Sequence, residues 1–147
     1  MAELTTEQVF NGTIDQVYAG LGQYARYPEF LPGVTAVQVL PPKAPGSVCQ
    51  VNYELKLIKS FYYTLDMYEE KPTRIWWDLA ASNLMKRSSG SWELTSMGKD
   101  KTKAIYTLDI GFSGLVPGRI VDQITKANLS GMMSGFQSLI DSTIAAR

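Results

Sequence analysis

Between residues 34 and 112 apolar and polar side chains alternate with the two-residue period of a strand that buries one face. The alternation is clearest at the end of this stretch. Ala104, Tyr106, Leu108, Ile110 and Phe112 fall on one face, with Thr107, Asp109 and Gly111 on the other. Trp92 with Leu94, and Ile75 with Trp77 and Leu79, behave likewise. The predicted strands cover 34–40, 47–57, 60–70, 74–80, 90–97 and 103–112. They are separated at Pro41-Pro42, around Ile58-Lys59, at Lys71-Pro72 and at Gly98-Lys99-Asp100-Lys101. Such short connections imply antiparallel pairing.

A further strand over 3–11 precedes them and stops at Asn11-Gly12. Thr13 followed by Gln16 has the spacing of a capping box, and Ile14, Val17, Tyr18 and Leu21 recur at helical spacing. A short helix ending near Leu21 follows. From Tyr24 to Pro32 the chain holds at most a turn of helix, because Pro28 and Pro32 break any continuation. Gly114 and Pro117-Gly118 then introduce a long helix over 118–146. Its apolar stripe is Ile120, Ile124, Ala127, Gly131, Met132, Gly135, Phe136, Leu139 and Ile140. Such a helix is on the order of 40 Å long and a ten-residue strand about 33 Å, so one helix can cover a whole sheet face. No repeat, linker or low-complexity segment divides residues 1–147, so the pattern predicts one α+β domain.

Composition narrows the chemistry. Hydrophobic residues make up 45% of the chain and charged residues 19%, a balance that supports a packed core. Lys plus Arg equals Asp plus Glu at 14 each, which argues against nucleic-acid binding. The nearest basic cluster, Lys99, Lys101 and Lys103, is interrupted by Asp100 and reads as a solvated hairpin turn. There is no histidine, so the usual general base, zinc ligand and nucleophile partner are all missing. Cys49 is alone, which excludes an intrachain disulfide and a cysteine-based metal site. No metal or other cofactor is expected. The first residues lack the basic and apolar regions of a secretory signal, and no apolar run approaches a membrane span, so a cytoplasmic location is expected.

The order of elements (strand, two small helices, six strands, long helix) resembles the helix-grip fold of START-like proteins, in which a curved antiparallel sheet of about seven strands wraps the last helix. Tyr24-Ala25-Arg26-Tyr27-Pro28-Glu29-Phe30-Leu31-Pro32 is similar to the Y-P-E-F-L-P signature of the polyketide cyclase/dehydrase and lipid-transport family. Within that family the chain looks most like the coenzyme Q-binding and ribosome-association toxin branch. Leu84 through Gly90-Ser91-Trp92-Glu93-Leu94 resembles that branch's apolar loop and G-x-W-x-F strand, with Leu94 in place of the aromatic. Phe112-Ser113 with Leu115, and Met132-Met133-Ser134-Gly135-Phe136, resemble its strand end and late helix segment.

A sheet curved around a helix cannot be filled completely at its open end, and apolar sites are typically concave. The expected function is therefore to bind a lipid or isoprenoid-quinone type of molecule between sheet and helix, as a carrier or chaperone. The expected walls are Phe30, Tyr63, Trp77, Met85, Trp92, Tyr106, Leu108, Met132, Gly135 and Phe136. Gly131 and Gly135, four apart on one helix face, allow either a close helix–sheet approach or room for a ligand. The Y-P-E-F-L-P segment and the loop over 82–87 are candidates for the cavity mouth. Leu84 and Met85 beside Lys86 and Arg87 would form an apolar tip with a basic collar, suited to transient membrane contact. A second reading is a polyketide cyclase or aromatase, for which Glu54, Asp66, Asp78, Tyr106, Asp109 and Arg119 offer the residue types without marked pairing. A third, implied by the toxin-like relatives, is an interaction module whose one nucleic-acid contact would be a ribosome. A monomer or weak dimer is expected. Treatment with EDTA should leave the melting temperature unchanged, whereas a drop of several degrees in a thermal melt would contradict the metal-free reading.

Overall fold

The computed structural model describes residues 2–31, 33–56, 60–112, 114, 116–125 and 129–145. Strand β1 (Ala2–Asn11) leads into helix α1 (Ile14–Leu21), and Thr13 caps that helix as its spacing predicts. The Gln16 backbone N–H donates to Thr13 Oγ1 at 3.2 Å, and the Thr13 N–H donates to Gln16 Oε1 at 2.9 Å. The signature segment folds as a 3₁₀ turn (Tyr24–Arg26) and one turn of helix α2 (Tyr27–Phe30), with Pro28 in the first turn where its missing N–H costs nothing.

Strands β2 (Val34–Leu40), β3 (Cys49–Lys56), β4 (Ser60–Glu70), β5 (Arg74–Ser82), β6 (Met85–Ser96) and β7 (Lys101–Phe112) follow. With β1 they make one antiparallel seven-stranded sheet in the order β1-β7-β6-β5-β4-β3-β2. Every neighbour in that order except β1–β7 is also a neighbour in sequence, as hairpin connections require. The chain's first strand closes onto its last, with Thr6 opposite Tyr106 and Leu4 opposite Leu108. The predicted alternation is observed. Ala104, Tyr106 and Ile110 are buried, as are Ile75, Trp77, Trp92 and Leu94.

One expectation is corrected here. The segment over 82–87 is not an apolar tip, because β6 begins at Met85 rather than near Gly90. The Ser82 hydroxyl accepts hydrogen bonds from the Leu84 and Met85 backbone N–H groups, both at 3.1 Å, and turns the chain within two residues. Leu84 and Met85 are 6% and 7% exposed and form a small second core with Phe61 and Ile110. Lys86 and Arg87 stay outside, where Arg87 pairs with Asp109 at 2.8 Å. The polar run Lys86-Arg87-Ser88-Ser89 reads as a loop because a register shift between Met85 and Arg87 interrupts its alternation.

The C-terminal stretch is helical as α3 (Gly118–Thr125) and α4 (Leu129–Ala145), and no helix of the described residues is long and apolar enough to cross a membrane. Several positions singled out from the sequence lie outside the described residues: Pro32, Leu57, Ile58, Lys59, Ser113, Leu115 and Ala127, with the side chains of Ile120 and Ile124. Helix α4 makes its main backbone approaches to α1, α2 and β1. Two glycines set these distances. A Cβ on Gly20 of α1 would lie 2.7 Å from Ile140 Cγ1 and 2.9 Å from Ile140 Cα. A Cβ on Gly135 would meet the Phe30 carbonyl oxygen and lie 3.0 Å from Leu31 Cδ2. Gly135 thus serves neither a helix–sheet contact nor an open space: it admits the end of α2. Gly131 is exposed, and Met133, not Met132, is the buried methionine of this turn.

Because a side chain at 135 meets backbone that cannot rotate away, Gly135→Leu should cost roughly 1–3 kcal/mol of stability. A thermal melt should fall by several degrees, with ligand affinity per folded molecule unchanged. A normal melt combined with weakened binding would place position 135 in the pocket instead.

Candidate functional site

Seven aromatic side chains from seven different elements touch in sequence around the interior. Tyr63 of β4 stacks on Tyr53 of β3, its direct cross-strand partner, with centroids 4.8 Å apart and planes at 17°. Tyr53 contacts Tyr27 of α2 at 6.3 Å, and Tyr27 meets Phe136 of α4 edge-on at 5.4 Å. Phe136 meets Trp92 of β6 edge-on at 5.2 Å. Trp92 lies 4.8 Å from its cross-strand partner Tyr106 of β7, and Tyr106 lies 6.0 Å from Trp77 of β5. Pairs of this kind contribute about 0.5–1.5 kcal/mol each beyond burial. Gly90 is what lets Trp77 lie across β6. A Cβ there would overlap the indole, coming within 2.7 Å of Trp77 Cε2.

Beside this arc four inward-facing residues keep part of their accessible surface. Leu55, Tyr63, Leu79 and Leu108 project from β3, β4, β5 and β7 toward the helices, yet each remains half-buried. All four border both the main core and the small core around Phe61 and Met85. Helix α4 has its main backbone approaches on α1, α2 and β1, and Phe136 reaches Trp92 of the central strand β6 with its side chain. Leu55, Leu79 and Leu108 thus keep partly accessible apolar surface where the two cores meet.

The predicted wall residues separate into groups. Tyr63, Trp77, Trp92, Tyr106 and Phe136 meet in the arc, and Leu108 lies on its open side. Met85 sits in the second core, and Met132 packs half-buried on the main core. Phe30 is half-buried under Arg26, whose guanidinium is 5.2 Å from the ring centroid and donates to Ser142 Oγ at 2.7 Å. Tyr24, Tyr27 and Leu31 of the signature are buried, so the segment docks on α4 and β4 rather than standing open as a mouth. Tyr53, Leu55 and Leu79 stand with the predicted wall residues on the inner face and were not among the expected walls, although Val51, Tyr53 and Leu55 alternate like the residues of β7.

The polar groups differ in how they are satisfied. Tyr18 and Tyr24 donate to the Glu69 carboxylate at 3.2 and 2.6 Å, tying β4 to α1 and the 3₁₀ turn. Tyr27 donates to the Leu21 carbonyl at 2.5 Å. The hydroxyls of Tyr53, Tyr63 and Tyr106 have no hydrogen-bond partner among the described residues. The candidate catalytic carboxylates lie on the outer face. Asp66 accepts from Gln50, Asp109 from Arg87 and Glu54 from Thr35, while Asp78 and Arg119 are exposed. Of that set only Tyr106 faces inward. A separate groove between the free edge of β1 and α4 is lined by Thr6, Gln8, Met133 and Ser134. The side-chain amide of Gln137 closes one end of it by bonding both backbone groups of Asn11, at 2.8 and 3.1 Å.

Burial raises the Tyr27, Tyr53, Tyr63 and Tyr106 hydroxyls above their ordinary value, and neighbouring phenols add to the first three. Below pH ~10 these groups are neutral in the folded and unfolded chain alike. Above it the unfolded chain releases protons that the folded chain keeps, so stability falls as pH rises toward the raised values. Tyrosinate absorbance from these residues should therefore appear together with loss of near-ultraviolet circular dichroism. Ionisation of Tyr106 in a folded protein, seen as a component missing from Tyr106→Phe, would contradict its burial.

Comparison with solved structures supports this architecture. A START superfamily protein from Mycobacterium smegmatis superposes with a TM-score of 0.80 at 14% identity, covering 95% of this chain and 97% of that one. The Zhui aromatase/cyclase from Streptomyces sp. R1128 does so with a TM-score of 0.79 at 12% identity, covering 99% and 96%. The ginseng major latex-like protein 151 from Panax ginseng gives 0.62 at 10% identity, covering 99% and 95%. At these identities the likeness is one of fold. No curated protein matches the chain in sequence. The profile described as Polyketide cyclase / dehydrase and lipid transport matches residues 11–137, and with the helix-grip architecture around that match the chain belongs to this family.

Proposed function

We propose that this domain binds a hydrophobic small molecule of the lipid or isoprenoid-quinone type between the sheet and α4, and acts as its carrier or chaperone. The observation that supports this most directly is the half-buried inner surface of Leu55, Leu79 and Leu108 beside the aromatic arc. Burying a ligand CH₂ there is worth about 0.8 kcal/mol, so a tail of several carbons supplies useful affinity without any charged contact. The quinone option draws on the resemblance of the signature segment and the Gly90-Ser91-Trp92 strand to the coenzyme Q-binding branch.

A cyclase reading draws on the Zhui aromatase/cyclase as a fold neighbour and on Tyr106 as an inward-facing proton donor. The carrier is favoured because the carboxylates considered for acid–base work face outward. Glu69, which the sequence reading did not single out, already accepts from two tyrosines.

A quinone probe should quench the fluorescence of Trp77 and Trp92 saturably and be released unchanged. Leu108→Trp, which adds volume to the open surface, should lower that affinity tenfold or more, about 1.4 kcal/mol, with little change in the melt. Undiminished affinity would move the site away from Leu108. Multiple turnovers to a cyclised or dehydrated product, lost in Tyr106→Phe, would replace the carrier with the enzyme.

A further inference from the structure

Strands β1 and β2 end the sheet order, so each has one edge that no neighbouring strand pairs among the described residues. Proteins ordinarily shield such edges with charge, proline or a covering element. At β1 the shield is present. The Gln137 side chain bonds both backbone groups of Asn11, at 2.8 and 3.1 Å, α4 approaches the strand, and the exposed Glu7 adds a charge. The run Ala36-Val37-Gln38-Val39-Leu40 of β2 supplies no such device, since it has no charged residue and no proline. The 3₁₀ turn and α2 approach this strand, yet Ala36, Gln38 and Val39 stay exposed, Val39 at 44%. Among the described residues the backbone of 36–40 makes no hydrogen bond outside the β2–β3 ladder, and the Gln38 amide makes none at all.

The residues of this edge fit a second copy of themselves. Pairing with β3 is regular only over 36–40, because a register shift lies between Val34 and Ala36 and Pro41-Pro42 follows Leu40. The middle residue of these five is Gln38. A second chain laid antiparallel, with the two-fold axis at Gln38, sets Gln38 opposite Gln38, Val37 opposite Val39 and Ala36 opposite Leu40. On the outer face the two amides can each donate to the other and accept from it. They would extend a polar row in which Asn52 stands opposite Gln38 and accepts from Thr64 at 2.6 Å. On the inner face Val39 meets Val37, so the exposed valine gains an apolar neighbour beside Val51 and Tyr53. No like charges are opposed, because Glu54, beyond Ala36, looks across to Leu40 and then Gln50. A slip of one residue would set Val39 against Gln38 and mix the two faces. Axes at Val37 or Val39 would run the pairing into the register shift or into Pro41.

We infer that the free edge of β2 is an interface between two copies of this chain, which pair antiparallel over residues 36–40 about a two-fold axis at Gln38 and join their sheets into one. Because β1 is covered, the contact closes as a pair and does not propagate from β2 to β1 as a filament. The inference stands independently of the carrier reading.

Sedimentation equilibrium of the whole chain tests it, run as a dilution series that starts at millimolar protein. The 16.3 kDa chain should exchange reversibly with a species of twice that mass, and the small interface should dissociate on dilution. Gln38→Lys and Gln38→Glu each set like charges against each other at the axis. Each should weaken dimerisation tenfold or more with the melt of the monomer unchanged, since position 38 is exposed in the free chain. An equal mixture of the two variants should regain a dimer containing one of each. Val39→Lys should also weaken dimerisation, whereas Val9→Lys on the exposed face of β1 should leave it unaltered. A monomer throughout the series overturns the inference and leaves the edge to a strand of a different protein. A dimer that survives both Gln38→Lys and Val39→Lys overturns it by placing the contact elsewhere. Two charged variants that stay monomeric when mixed overturn the axis at Gln38.

Discussion

The seating of α4 governs the rest of the molecule. Its backbone is drawn against α1 and α2 because Gly20 and Gly135 carry no side chain where Ile140 and the Phe30 carbonyl approach. Toward the central strands α4 makes contact through side chains such as Phe136, whose ring meets both Tyr27 and Trp92 edge-on. Farther along, around Leu55, Leu79 and Leu108, the inner face keeps accessible surface. The proposed site for an apolar ligand lies on that partly accessible surface.

The signature segment takes its meaning from the same constraint. Tyr24, Tyr27 and Leu31 are buried, Arg26 reaches Ser142, and the Phe30 carbonyl occupies the notch at Gly135. The segment holds α4 in place. Its two tyrosine hydroxyls are consumed by protein acceptors, the Glu69 carboxylate and the Leu21 carbonyl. The contrast with Tyr53, Tyr63 and Tyr106 is informative, because similar residues in a similar environment divide into those with a protein partner and those without. The first group fixes elements to one another, and the second leaves donor capacity on the inner face.

Much of the architecture was legible in the chain. The period of two between residues 34 and 112, the turn residues between strands and the Thr13–Gln16 capping box are local signals. Local hydrogen bonding and side-chain alternation suffice to realise them. The inward face of β7 and the placing of Trp77, Trp92 and Tyr106 on the buried side follow from the same alternation. The chain's lack of histidine and its single cysteine likewise limit the available chemistry.

What the tertiary structure decided lies wherever two distant segments compete for one volume. No local pattern says that Gly135 meets Phe30 rather than a strand or a ligand, because those residues are over a hundred positions apart and only packing brings them together. The pairing of Met85 with Phe112 turns an apparent surface tip into a second core, since an apolar side chain beside two cations is buried or exposed according to which strand lies opposite. The division of the tyrosines is of the same kind. Sequence alone determined that the inner face would be aromatic. Only the fold determined which hydroxyls find a partner, because a hydrogen bond requires an acceptor within about 3 Å and that proximity is a property of the packed chain.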